Sequence, residues 1–145
     1  MITAIVALVI IGVALTFTTF AALSTSSTLL STGTVSSLAN LVYANSGCTI
    51  PMSSINWGTL AAGGNSTQTV YLKNTGSGVP LTLNMTISNW SPIAANGPIT
   101  ITWNQQGTDL QPGAIVAANL TLSVSSSEVN LSAFGVQINL GGTNP

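Results

Sequence analysis

The first 23 residues, Met1 to Leu23, carry no charge and are apolar apart from a few threonines. As an α-helix, such a stretch rises roughly 33 Å, about the thickness of a bilayer's hydrocarbon core. It cannot sit in water, so it requires either a membrane or a bundle of copies of itself. A secretory signal opens on basic residues and has an apolar run of about 7 to 15. Here no Lys or Arg precedes the run, and the run is longer. The flanking cations that orient a membrane helix are also missing until Lys73. The expectation is therefore a charged leader already removed. The alternative is a single-pass anchor starting at its initiator, and Met1 is compatible with both.

Lys73, Asp109 and Glu128 are the only charged residues in 145, and there is no His. Typical domains are about a quarter charged. Polarity comes instead from 18 Ser, 20 Thr and 13 Asn. A net charge of -1 gives no electrostatic reason to bind nucleic acid and no polybasic attraction to anionic lipid. General acids, bases and activated nucleophiles are nearly lacking, which argues against an enzyme. One Cys and no His leave no metal-ligand pattern; no metal and no cofactor are expected. Asp109, beside Gly107 and ahead of Pro112, reads as a solvated loop residue, as does Glu128. Cys48 reads as a small buried hydrophobe between two regions.

Residues 24–47 turn to Ser and Thr, with apolar side chains at Leu23, Leu30, Val35, Leu38, Leu41 and Val42. Those gaps fit a helical face better than alternation. Ser and Thr are indifferent helix formers and Gly33 costs about 1 kcal/mol, so a neighbour must support the segment; a flexible Ser/Thr linker is the competing reading. The spacing predicts one helix from Ile2 to Ala44, roughly 65 Å long, stopped at Asn45-Ser46-Gly47 with Gly47 as left-handed cap.

From Pro51 onward the period is 2. Leu81, Leu83, Met85 and Ile87 alternate with polar residues, as do Ile99, Ile101 and Trp103; Leu120, Leu122 and Val124; and Phe134, Val136, Ile138 and Leu140. Shorter runs lie at 54–57 and 67–73. Turn chemistry separates them at 62–65, 74–78, 96–98 and 111–113. Six or seven strands in about 95 residues predict an immunoglobulin-like antiparallel β-sandwich. Trp57 and Trp103 are assigned to its core, and Trp90 to the core or a contact surface. The fold class expected is α+β: a long N-terminal hydrophobic helix over 1–47, then a sandwich over 48–145.

Five Asn-X-Ser/Thr sequons occur, at Asn65, Asn84, Asn89, Asn119 and Asn130. Strand parity puts Asn84 and Asn119 on outward faces, with Asn65 and Asn130 near turns; Asn89 is disfavoured by Pro92 just after its sequon. N-glycans require exposed sites on an exported chain. A sugar coat would supply the hydration that surface charge usually provides, would block edge-to-edge strand pairing, and would do both independently of pH.

An uncharged apolar N-terminal segment, a Ser/Thr continuation and an all-β domain together resemble an archaeal type IV pilin. The β domain carries similar wording in Trp57-Gly-Thr-Leu-Ala-Ala-Gly63, Val70-Tyr-Leu-Lys-Asn-Thr-Gly76, Leu81-Thr-Leu83, Ile101-Thr-Trp-Asn104 and Leu110-Gln-Pro-Gly113. The resemblance implies a structural subunit of an adhesive cell-surface pilus, membrane-inserted before assembly. It implies a leader removed by a prepilin peptidase, extraction by an assembly ATPase and platform, and a helical homo-oligomer of many copies. Ile2, Ile5, Val6, Val9, Ile10, Val13, Phe17, Phe20, Leu23, Leu30, Leu38 and Leu41 would pack in the filament core, beneath an outer sheath of β domains with N-linked, and also O-linked, glycans. Many bacterial type IV pilins carry a Glu a few residues into the mature helix; this chain has Ile5 and no acid nearby, as archaeal members commonly do. Archaellins of the swimming filament share the same plan. The alternative outside this class is a single-pass surface or envelope protein with a β-sandwich ectodomain.

Overall fold

The computed structural model describes residues 29–37, 41–76, 78–127 and 131–144. They form two facing sheets. The strands are β1 (Leu29–Ser37), β2 (Val42–Tyr43), β3 (Ser54–Leu60), β4 (Asn65–Lys73), β5 (Leu81–Ser91), β6 (Ile99–Trp103), β7 (Asp109–Leu110), β8 (Ile115–Val124) and β9 (Ala133–Thr143). One sheet has the order β3-β1-β9-β5-β7; the other has the order β2-β4-β8-β6. We call them sheet A and sheet B.

The alternation read from the sequence is what builds the core. Val70 and Leu72 of β4, Leu120, Leu122 and Val124 of β8, Ile99 and Ile101 of β6, and Phe134, Val136, Ile138 and Leu140 of β9 are all buried. Each strand turns one face inward because successive side chains point to opposite sides. The β5 run is less regular. Only Leu83 of its apolar positions is fully covered, while Met85 and Ile87 are half-buried. The partner β7 pairs with β5 only at Leu81 and Thr82.

The α+β expectation is overturned. Among the described residues the only helical element is a 3-10 turn at Ile93–Ala95. Leu29–Ser37, placed inside the long helix by its spacing, is a strand. Val42–Tyr43, also placed inside it, is a short strand whose two side chains are buried. The physical reason lies in the residues that the spacing argument treated as neutral. Thr32, Thr34, Val35 and Val42 are β-branched and Tyr43 is aromatic, types that suit a pleated surface. In the sheet the segment is also held between β3 and β9, a tertiary support that an isolated Ser/Thr helix lacks. The segment holding Ile2, Ile5, Val6, Val9, Ile10, Val13, Phe17, Phe20 and Leu23 lies outside the described residues, and so does Leu38. Leu30 lies in β1 opposite Ala133 and Thr59, and Leu41 is buried in the sandwich core.

The expected helix stop is a turn. The Cys48 N–H donates to the Asn45 carbonyl at 2.9 Å. Asn45 Oδ1 accepts from the Thr49 and Ile50 amides, both at 3.0 Å. Cys48, with φ 49°, takes the left-handed position assigned to Gly47. Its side chain is buried, as read.

Sheet A is mixed rather than antiparallel. β1 runs parallel to β9, from Leu30 opposite Ala133 to Ser37 opposite Leu140, and antiparallel to β3. The β1–β3 ladder shifts register where Ser31 faces Gly58 and Thr32 faces Asn56. Trp57 is thus the extra residue of a β-bulge, and Gly58 takes the φ of +75° that such a bend requires. The bulge turns the Trp57 indole into the core, directly over Gly33 of β1. A Cβ at Gly33 would lie 3.1 Å from Trp57 Nε1 and 3.4 Å from Ile138 Cδ1. Glycine at this point of the strand is what lets the indole close over it.

Candidate functional site

Among the five sequons, strand parity puts Asn84 and Asn119 outward, and β4 and β8 show how that parity works out. With Val70 and Leu72 inward on one strand and Ala118, Leu120 and Leu122 inward on the other, the residues between them point away from the core. The outward positions are Asn65, Thr67, Thr69, Tyr71 and Lys73 on β4 and Ile115, Ala117, Asn119, Thr121 and Ser123 on β8, and the hydroxyls and carboxamides gather at one end. The register sets Asn65 opposite Ser123, Thr67 opposite Thr121 and Thr69 opposite Asn119. Hydroxyls and carboxamides bond across the strands. Thr67 Oγ1 and Thr121 Oγ1 are 3.0 Å apart. Thr69 Oγ1 donates to Asn119 Oδ1 at 2.9 Å. Thr100 and Thr102 of β6 extend this exposed face, so it is a bed of hydroxyl groups with few ions.

Two sequons meet here. Thr67 and Thr121 are the hydroxyl residues of the Asn65 and Asn119 sequons, and they bond to each other. Asn65 and Asn119 are both exposed. The bond to Asn119 uses the carboxamide oxygen rather than the nitrogen that carries an N-glycan. The face therefore carries two exposed sequon asparagines on neighbouring strands.

The other sequons differ. Asn84 lies on β5 opposite Gly141, at an outward parity but half-buried. Asn89 is exposed at the register shift of β5, with φ 53°, and its carboxamide nitrogen donates to Gln137 Oε1. That engagement ties up the atom a glycan would need. Asn130 lies outside the described residues. The structure thus brings Asn65 and Asn119 onto one face and sets Asn84 and Asn89 on the outer face of sheet A. There Asn89, Gln137, Asn139 and Ser88 form their own amide–hydroxyl network.

Some working residues were not singled out by sequence reasoning. β6 stops at Trp103, opposite Leu120, which would leave the edge of β8 open. Asn104 Oδ1 accepts from the Asn119 amide at 2.8 Å and Gln105 Nε2 donates to the Ala117 carbonyl at 2.9 Å. These two side chains continue the ladder and hold the backbone of Asn119 in place. Asn74 is fully buried. Its Nδ2 donates to the carbonyls of Leu110 at 2.9 Å and Val79 at 3.1 Å, while Oδ1 accepts from the Gly76 amide at 2.9 Å. The Asn-Thr-Gly-Ser-Gly run marked a turn; the alternation ending at Leu72 was the available signal that Asn74 points inward.

Asp109 lies on β7 rather than in a loop, exposed, and accepts from Thr82 Oγ1 at 2.7 Å. Trp57 is in the core. Trp103 is half-buried, with Nε1 donating to Gln106 Oε1 at 2.9 Å. Trp90 packs partly on the core, its ring 6.0 Å from that of Phe134. It also lines an open cleft of about 420 Å³ with Ile87, Ile99 and Ile101. Among the described residues no three of His, Cys, Asp and Glu come together, and no helix is long and apolar enough to cross a membrane. No protein-family model matches this sequence, and no curated protein matches it either.

Proposed function

We propose that this chain is the structural subunit of an adhesive cell-surface filament of the archaeal type IV pilus kind, with its β-sandwich outward and glycosylated. One observation carries the reading. A 23-residue segment without charge precedes a sandwich whose sheet B carries hydroxyls and carboxamides on its outward positions around Asn65 and Asn119. The apolar segment gains by exchanging lipid for copies of itself, because many close contacts accumulate along its length. The sandwich cannot keep neighbours apart by ionic repulsion, so hydration must come from hydroxyls and from sugars on Asn65 and Asn119. A membrane stage before assembly, leader removal by a prepilin peptidase and extraction by an assembly ATPase belong to the same reading.

Electron microscopy of material sheared from the surface of producing cells tests it. Thin helical fibres that contain this chain support the filament. A chain that stays with the membrane and leaves it only in detergent-bound particles refutes it. Ile10→Lys places an unpaired charge in an apolar bundle and is expected to abolish the fibres. An intact mass of 14.6 kDa for the native chain, the unmodified value, would remove the glycan part.

A further inference from the structure

We propose that in the filament the slot between β3 and β9 is filled by β1 of the neighbouring copy, so that each subunit donates its β1 to the next. This deepens the filament reading and rests on it.

The observation is the placement of β1. It is the first strand in the described chain, yet it stands inside sheet A rather than at an edge. Both its ladders are to strands remote in sequence: β3 on one side and β9 on the other. No hairpin ties it to either. The next strand in the chain, β2, belongs to the other sheet. Removing β1 would part β3 from β9 and leave two long rows of unpaired backbone groups, an arrangement that recruits any matching strand. It would also uncover Trp57, Val136 and Ile138, whose side chains stand around Gly33.

A strand held in this way makes the same contacts whether it comes from its own chain or from another copy. Exchange between copies therefore needs no new interface, only a route for the connection. Residues 38–40 join Ser37 to Leu41, which is buried in its own core. From Ser37 to Leu41 the chain reaches at most about 14 Å, so donor and acceptor sandwiches must abut. The donated strand and the slot that receives it are different surfaces. Such a head-to-tail contact does not close on itself unless the rotation happens to form a ring, and otherwise it extends into a fibre. The register is set by Gly33, the point of β1 where the Trp57 indole closes over the backbone. In this arrangement the apolar segment 1–23 of each copy is carried to the neighbour along with the donated strand.

Paired cysteines separate the two origins of the strand. Thr32 faces Asn56 and Thr34 faces Ser54 across the β1–β3 ladder, within the span a disulfide bridges in a sheet. Full-length chains carrying Cys48→Ala with Thr32→Cys and Asn56→Cys, or with Thr34→Cys and Ser54→Cys, are assembled on cells. The sheared fibres are mildly oxidised and run on denaturing gels without reductant. Donation between copies predicts a ladder at multiples of the subunit mass that collapses to one band on reduction. Mixing chains that carry Thr32→Cys alone with chains that carry Asn56→Cys alone predicts mixed dimers. Fibres that yield only monomers with an internal disulfide overturn the donation and leave the filament standing. Fibres in which neither pair oxidises overturn it as well, since β1 is then not beside β3. Cells that display the chain without fibres remove the filament reading itself.

Discussion

The two sheets differ in where their middle strands come from. In sheet B the middle is β4 and β8, and every ladder is antiparallel. In sheet A the inner strands are β1, β9 and β5, and β1 and β9, the first and last strands described, run parallel. Sheet B is secured by alternation that each strand carries in its own residues. Both sheets need distant parts of the chain to meet, β4 with β8 in sheet B and β1 with β9 in sheet A, the slower and more exposed kind of pairing; only in sheet A does the first described strand stand between two others. The lesson is that one wall of this sandwich is written in the alternation of its own strands, whereas the other has inside it a strand, β1, whose own residues give little sign of it.

The largest effect should come from removing that strand. A chain lacking residues 1–37 is expected to lose its cooperative unfolding transition in urea, because β3 is cut from β9 and the core around Trp57 opens. A sharp transition at the parent's midpoint would show that β1 is dispensable and would break the comparison. Next in size is a cavity in sheet B. Leu120 is fully buried in β8, and Leu120→Ala is expected to lower stability by about 2–5 kcal/mol, read from the shift in the urea midpoint with the slope unchanged.

Gly33→Val sharpens the dependence of sheet A on a single position. The added side chain meets the Trp57 indole and Ile138 at or inside contact distance, and overpacking of this kind costs about 1–3 kcal/mol. The Trp57 fluorescence should shift with it. The same stability as the parent would mean that β1 does not hold Gly33 against the indole.

How far each wall could be read beforehand follows the same division. β8 and β9 were legible because Leu120, Leu122 and Val124 on one and Phe134, Val136, Ile138 and Leu140 on the other recur at every second position, and these proved buried. β1 was not. Its apolar residues are sparse, and the gaps between Leu30, Val35 and Leu38 match a helical stripe as well as anything else. What decides its state is the unsatisfied edge of β9 and the Trp57 bulge, both remote in sequence. β7, two residues long, carries too little pattern to be seen. On the outer face of sheet B, the outward position of Asn119 followed from β8 parity. The meeting of Thr67 with Thr121 depends on the β4–β8 register, which no single strand contains. The engagement of Asn89 with Gln137 arises from the register shift in β5 and was equally hidden.

The smallest effect is expected on that outer face. Thr69→Val removes the hydroxyl bonded to Asn119 but keeps a β-branched residue at an exposed position. Stability should change by less than about 0.5 kcal/mol. A loss several times larger would mean that the hydroxyl bed of sheet B is structural, and that this wall too leans on more than its alternating core.

The most direct test of the central claim, that β1 is an inner strand of sheet A, is hydrogen exchange at the amides of Leu30–Ser37. A strand at an edge protects alternate amides, whereas an inner strand is bonded on both sides. The structure predicts protection at consecutive positions through 30–34, where both ladders run, and at alternate positions over 35–37, where only β9 is paired, comparable with that of Val136, Ile138 and Leu140 in β9. Exchange at the rate of an unstructured peptide through those residues, with β9 still protected, would contradict it.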